Sequence, residues 1–336
     1  MTRDPTVFLG VDGGGSKTAL CLVDQDGRVL AFEQAPSSYY FFEGIELVER
    51  VLSAGVSKIC VRAGLSPQAI GYAFFGLPGY GEVSADLPML NAAPRSVLGH
   101  DRYACDNDMV CGWAGSLGAV DGINVISGTG SMTYGEYTGR RARVGGWGEV
   151  FGDEGSAHWI AVRGLSGFAR MSDGRLPKGP LHRLLREHLD LPADQDLVDV
   201  VLNRWRADRS RIAALSPVVV AAAGQGDVHA AAILTAAAAE LGELVDVTRR
   251  RLGFPADEAV LVSYSGGVFT AAPVLAAFLQ QLAAPDRGYQ LRRPLYPPVV
   301  GAAIYAAKLN GTPLDDSALQ RLHSSIGDSS PASSPV

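Results

Sequence analysis

At 336 residues the chain is long enough for two domains, and its composition is globular, 47% hydrophobic and 19% charged. A net charge of −6 without a basic block excludes the electrostatic footprint of a nucleic-acid binder or a membrane-surface segment. Met1–Pro5 leads into only a short apolar run, unlike a signal peptide, and no uninterrupted apolar stretch reaches the about 18 residues of a membrane span.

The first strand runs Val7-Phe8-Leu9-Gly10-Val11-Asp12, an apolar series ending in a carboxylate, and is followed by Gly13-Gly14-Gly15-Ser16-Lys17-Thr18. Apolar character resumes at Ala19–Val23, so the segment reads as a β-hairpin whose turn must approach something closely, since glycine carries no Cβ. Unpaired N–H groups and small hydroxyls in such a turn suit a phosphate, although a tight hairpin without a ligand has the same outline. It is neither of two familiar phosphate loops: Ser16, not lysine, follows Gly15, and a strand rather than a helix comes next.

Arg28–Glu33 alternates as a third antiparallel strand, and Tyr39-Tyr40-Phe41-Phe42 then forms an aromatic loop that suits either core packing or a cleft wall against a sugar or base. Ile45–Ala63 has helical apolar spacing, Ala69–Leu77 is a buried parallel strand, and Ala85–Ala93 is a short helix. Ser96–Gly99 and Tyr103–Cys105 are short strand candidates, the second delivering Asp106-Asn107-Asp108 to the start of a helix over Met109–Leu117.

Ile123–Ile126 is another buried strand, ending in Ser127-Gly128-Thr129-Gly130-Ser131 and followed by a strand to Tyr137. The unit of apolar strand, Gly/Ser/Thr turn and strand therefore occurs twice, which predicts duplicated halves facing one phosphate chain. The glycine-rich stretch 145–159 is predicted to aim Trp147, Asp153 and Glu154 inward. From Ser156 the chain is mostly helical to Leu252, with a break at Gly224–Asp227, and Val260–Tyr264 is a strand entering the turn Ser265-Gly266-Gly267. A helix over Val274–Leu282, a short strand over Tyr289–Arg293 and a closing helix over Pro298–Leu309 complete the pattern, and the Ser/Pro-rich 324–336 reads as a disordered tail.

Two phosphate turns, a third glycine turn for a nucleoside and a carboxylate at a strand end fit ATP in a cleft between two lobes. Asp12 is the candidate Mg²⁺ ligand, and Asp106 and Asp108 are the candidate bases. The four motifs Gly10–Thr18, Ser127–Ser131, Gly145–Gly148 and Gly152–Trp159 together resemble the eukaryotic-type N-acetylglucosamine kinases of the BadF/BadG/BcrA/BcrD ATPase family, within the actin-like sugar-kinase fold. The resemblance implies an α/β protein of two ribonuclease-H-like domains with the nucleotide cleft between them. The first domain would cover 1–121 and the larger second domain 122–323 with a helical insertion, and the helix at about 298–309 is available to pack on the first.

It also implies Asp108 as the base, since Asn107-Asp108 followed by Trp113-Ala114-Gly115 matches the family spacing, with Asp106 in support. By the same resemblance Ser16 and Thr129, with their neighbours Gly13–Thr18 and Gly128–Gly130, contact the phosphates of ATP. Ala223, Gly266 and Gly267 lie near adenosine, and Ser131, Gly146, Trp147, Gly148 and Asp153 line the sugar. Tyr39 and Phe41 stand where those kinases carry Asn and Trp, so the acceptor is N-acetylglucosamine, glucosamine or another hexose derivative such as N-acetylmuramic acid. The expected protein is a cytoplasmic, Mg²⁺-dependent ATP kinase acting on a small sugar, with no nucleic-acid or membrane partner and a homodimer left open. Some family members are instead ATPases that activate a partner enzyme through a bridging iron–sulfur cluster. Of Cys21, Cys60, Cys105 and Cys111, only Cys105 and Cys111 flank the proposed base, and none has paired ligand spacing.

Overall fold

The computed structural model describes residues 6–283 and 288–329, and the chain divides into two compact units. One comprises the residues up to Val120 together with those from Arg293 onward, and the other is Asp121–Arg292.

The first unit is built on a five-stranded sheet: β1 (Val7–Gly13), β2 (Lys17–Asp24), β3 (Val29–Pro36), β4 (Ile70–Leu77) and β5 (Tyr103–Asn107), in spatial order β3-β2-β1-β4-β5. β1, β2 and β3 pair antiparallel, whereas β4 and β5 run parallel to β1. Parallel neighbours need crossovers, supplied here by the helices Glu46–Ala63 and Leu87–Leu98. The first buries Val48, Leu52, Val56 and Ile59 and stops at Gly64, whose φ of 67° is left-handed. The second extends through Ser96–Leu98, where a strand was predicted. Leu90, Pro94 and Leu98 recur every fourth residue and are all buried, and Gly99 closes the helix with its N–H on the Arg95 carbonyl.

The helix Pro298–Leu309 packs on β1 and on the helix Met109–Leu117. A Cβ placed on Gly10 would lie 2.3 Å from the Ala303 nitrogen, and one on Gly301 would lie 2.0 Å from the Gly115 nitrogen. These backbones touch because no side chain separates them. The segment from Arg293 thus completes the first unit, which corrects the expected second-domain span of 122–323. The tail is corrected as well. The helix Asp316–Ser329 occupies the start of the predicted 324–336 stretch, held by buried Ala318 and Leu322, by Asp315 accepting from the Ala318 N–H and by Arg321 donating to the Asp26 carbonyl. The remainder of that stretch lies outside the described residues.

The second unit repeats the plan with β6 (Gly122–Ser127), β7 (Ser131–Tyr137), β8 (Arg140–Gly145), β9 (Val260–Ser265) and β10 (Tyr289–Leu291), in order β10-β9-β6-β7-β8. The antiparallel meander β6-β7-β8 and the parallel partners β9 and β10 reproduce the first sheet strand for strand. The helix Val228–Leu252 covers this sheet, burying Ala238, Leu241, Val245 and Leu252, while the Thr133 and Thr248 hydroxyls share a 2.6 Å hydrogen bond. By length and apolarity this helix alone among the described residues would be able to cross a membrane, but Glu240, Glu243 and Asp246 interrupt it and its apolar stripe is already covered. An inserted set of helices, including Ala157–Ser172, Pro180–His188 and Ser216–Gly224, encloses its own core around Phe168, Leu181, Leu185 and Val219.

Gly10→Ala forces a methyl against the backbone at Val299–Ala303 and is expected to destabilise the protein by about 3 kcal/mol, read as a lowered urea midpoint at unchanged m-value.

Candidate functional site

The expected site residues fall into two groups, one in each unit. In the first unit, β1 and β2 meet with Gly13 opposite Thr18, leaving Gly14–Lys17 as the turn, and Gly14 donates to the Lys17 carbonyl at 2.8 Å. Gly15, Ser16 and Lys17 are exposed, whereas Thr18 is buried with its hydroxyl on Ser38 Oγ, 3.2 Å away. Thr18 was expected to face the phosphates. Its place on the strand turns it inward to pin the loop after β3. Ser37 Oγ donates to the Gly14 carbonyl (2.8 Å) and accepts from the Tyr39 N–H (3.0 Å), so the aromatic loop is tied to the glycine turn. The Tyr39 ring packs edge-on against Phe41, with centroids 5.1 Å apart.

Asp12 ends β1, and Asp108 begins the helix Met109–Leu117 directly after β5. That helix start is served by Asn107, whose Oδ1 accepts from the Met109 N–H (3.1 Å), so the Asp108 side chain is not used as its cap. Asp106 Oδ1 accepts from the Asn107 N–H at 2.8 Å, which supports the same turn. Burial and then the charge of Asp108 raise the Asp12 carboxyl to about 7, partly offset by a hydrogen bond with Cys111 and by Lys17. Gly76 lets these groups converge, because a Cβ there would meet Cys111 Sγ at 2.3 Å and Asp108 Cα at 3.1 Å. Cys111 is buried with its thiol on the Val11 carbonyl, and burial followed by the nearby carboxylates pushes that thiol well above its ordinary range.

In the second unit the Ser127–Ser131 turn is the counterpart of the first hairpin. Gly128 donates across it to Gly130, and Thr129 is exposed. The turn after β9 lies against it: Gly266, at φ 103°, would place a Cβ 2.2 Å from the Ser127 carbonyl oxygen. Ala223 is half-buried at the end of the helix Ser216–Gly224 and packs on the helical core that also holds Val268, one residue past Gly267.

The predicted sugar loop is less uniform. Asp153 is buried as expected, but at φ 58° and with Arg209 Nη2 only 2.5 Å from its Oδ2. Trp147, expected to point inward, is 73% exposed, because Gly146 (φ 70°) and Gly148 (φ 92°) turn the chain outward on either side of it. Ser131 is buried with its hydroxyl on the Glu154 carbonyl (2.6 Å), so it braces the loop rather than facing outward. Arg143 Nη2 donates to the Gly146 carbonyl at 2.5 Å and fixes the loop at its base. Arg209 was not read from the sequence, since its partner lies 56 residues away and nothing local marks it.

A profile of the BadF/BadG/BcrA/BcrD ATPase family matches residues 9–306. The chain belongs to this family. It is 29% identical over 271 residues to the N-acetyl-D-glucosamine kinase of Dictyostelium discoideum, spanning 78% of this chain and 85% of that one. It is 32% identical over 261 residues to the N-acetylmuramic acid/N-acetylglucosamine kinase of Clostridium acetobutylicum, spanning 77% and 84%. The crystal structure of a candidate N-acetylglucosamine kinase from Chromobacterium violaceum matches with a TM-score of 0.67 at 26% identity, over 89% of this chain and 98% of that one. The architecture is therefore that of the family: two α/β domains of the actin-like ATPase type, each on a five-stranded sheet.

Within the family fold, the protonated form of Asp12 is favoured in the folded chain. Folding is then increasingly penalised as pH rises from about 4 through about 7. In metal-free buffer, Asp12→Asn is expected to raise the melting temperature by a few degrees at pH 8 and by distinctly less at pH 4.5, by calorimetry.

Proposed function

We propose that the protein transfers the terminal phosphoryl group of ATP to the primary hydroxyl of an amino sugar, N-acetylglucosamine or glucosamine, with Asp108 as general base. The protein is an ATP-dependent sugar kinase. The observation that carries the finer reading is the convergence of Asp12 and Asp108 beside the glycine hairpin, where strands β1 and β5 end. For transfer to an alcohol, one carboxylate must accept the hydroxyl proton, while the phosphoryl oxygens need neutralisation by a cation that a second carboxylate helps to hold.

Asp108 suits the first role because Asn107 relieves it of the helix cap. Asp12 suits the second: a carboxylate with a raised proton affinity beside a like charge is the donor a Mg²⁺ ion would hold, alongside substrate phosphates. Bound there, Mg²⁺ would supply neutralisation of the phosphoryl oxygens. The exposed Gly15–Lys17 and Thr129 turns supply N–H and hydroxyl donors for phosphate, and Gly266–Gly267 with Ala223 form the nucleoside end. Asp153, with Trp147 and the Gly146–Gly148 backbone, is the sugar-recognition loop, and Tyr39 contributes from the aromatic loop. The amino-sugar class follows the names of the two curated relatives.

The partner-activating ATPase reading fits poorly, since a bridging cluster needs accessible thiolates and Cys111 is buried with a strongly raised proton affinity.

ADP release should be stimulated by N-acetylglucosamine or glucosamine over glucose, N-acetylmuramic acid and no sugar. Asp108→Asn should lower kcat by about a thousandfold or more, whereas Asp106→Asn should keep most activity. Loss in the Asp106 variant with retention in the Asp108 variant would reverse the two roles.

A further inference from the structure

Arg209 opens the short helix Arg209–Ala213. Its Nη2 donates to Asp153 Oδ2 at 2.5 Å, while its Nε stands 3.3 Å from Glu149 Oε2 as an ion pair without a hydrogen bond, so the guanidinium is held chiefly by Asp153. The Asp153 side chain is only 3% exposed. A carboxylate that deep needs a partner to hold it in a single orientation. Its second oxygen, Oδ1, accepts no hydrogen bond among the described residues, yet it is not sealed from solvent. One oxygen is thus held and the other is presented.

Gly130 closes the pair from the phosphate turn. A Cβ there would meet Arg209 Nη2 at 2.5 Å and Asp153 Oδ2 at 2.7 Å, so the ion pair occupies the space a side chain would take. The backbone is also left-handed at non-glycine residues on both sides of the contact: Asp153 at φ 58°, Arg206 at 52° and Ala207 at 54°. Such conformations persist where surrounding contacts over-determine them, and here they bracket one interaction.

We propose that Arg209 is a positioning residue for sugar recognition: by occupying Asp153 Oδ2 it fixes the carboxylate so that Oδ1 accepts from a hydroxyl of the acceptor sugar. The inference rests on the reading of Asp153 as a sugar-binding carboxylate. It assigns the selectivity of this loop to a fixed acceptor aimed at neutral hydroxyls, with Arg209 Nη2 committed to Asp153.

The test is steady-state kinetics of Arg209→Ala, Arg209→Lys, Asp153→Asn and the Arg209→Ala/Asp153→Asn double variant, with N-acetylglucosamine and glucosamine as acceptors. Arg209→Ala should raise the acceptor KM by about tenfold or more, with kcat and the KM for ATP changed by no more than about threefold. Arg209→Lys should recover part of the loss, and it carries the test if the alanine variant does not fold. The double variant should be no worse than Asp153→Asn alone, because both substitutions remove one interaction. An unchanged acceptor KM in both Arg209 variants, or full additivity in the double variant, overturns the inference. If Asp153→Asn raises the acceptor KM while the Arg209 variants do not, the role of Asp153 stands and that of Arg209 falls. If neither position affects it, both fall.

Discussion

The carboxylate at the end of β1 is held in a partly dehydrated place beside a second carboxylate, and much of the first unit is arranged around that unfavourable proximity. Asp12 is delivered there by an apolar strand whose neighbours leave it no alternative direction. Gly76 makes room, Cys111 offers a weak donor, and Asn107 takes over the helix start that Asp108 would otherwise serve. Each of these gives up a better local solution, such as a larger side chain or a capping aspartate, to keep two like charges close. A fold selected only for stability would have replaced one of them by an apolar group.

The strand-turn units and the glycine turns were legible in the sequence because each is a local pattern: an apolar run, or a residue type allowed at a tight turn. What escaped was either masked by local composition or decided at long range. Ser96–Leu98 looks like a strand by composition, but the four-residue spacing from Leu90 through Pro94 makes it the end of a helix. β8 escaped because Arg140, Arg141 and Arg143 give it a charged surface, although its backbone completes the meander. Thr18 and Ser131 illustrate a subtler limit, since a hydroxyl in a phosphate-like turn carries no mark of whether it faces a ligand or braces a neighbouring loop. The Arg209–Asp153 pair is the extreme case, because only the folded chain brings the two together.

The two sheets share one strand order, yet they support their turns differently. In the first unit the turn is tied by two serines from the adjacent loop, Ser37 and Ser38. In the second, it is tied by the loop at 153–157 through Ser127, Ser131 and the Ala157 N–H. Two sheets of one strand order thus recruit different supports, so the same frame can carry loops with distinct tasks.

The return of the chain from Arg293 to the first unit sets an order of events during synthesis. Asp121–Arg292 is contiguous and holds all of its own sheet, so it can close as soon as it leaves the ribosome. The first unit cannot, because β1 and the helix Met109–Leu117 lack their covering helix until residues 298–309 have been made. Half of the protein must therefore wait with an apolar sheet face uncovered while the other half is translated and folded. The final helix acts as the latch of the first domain, and the second domain is in effect an insertion within it.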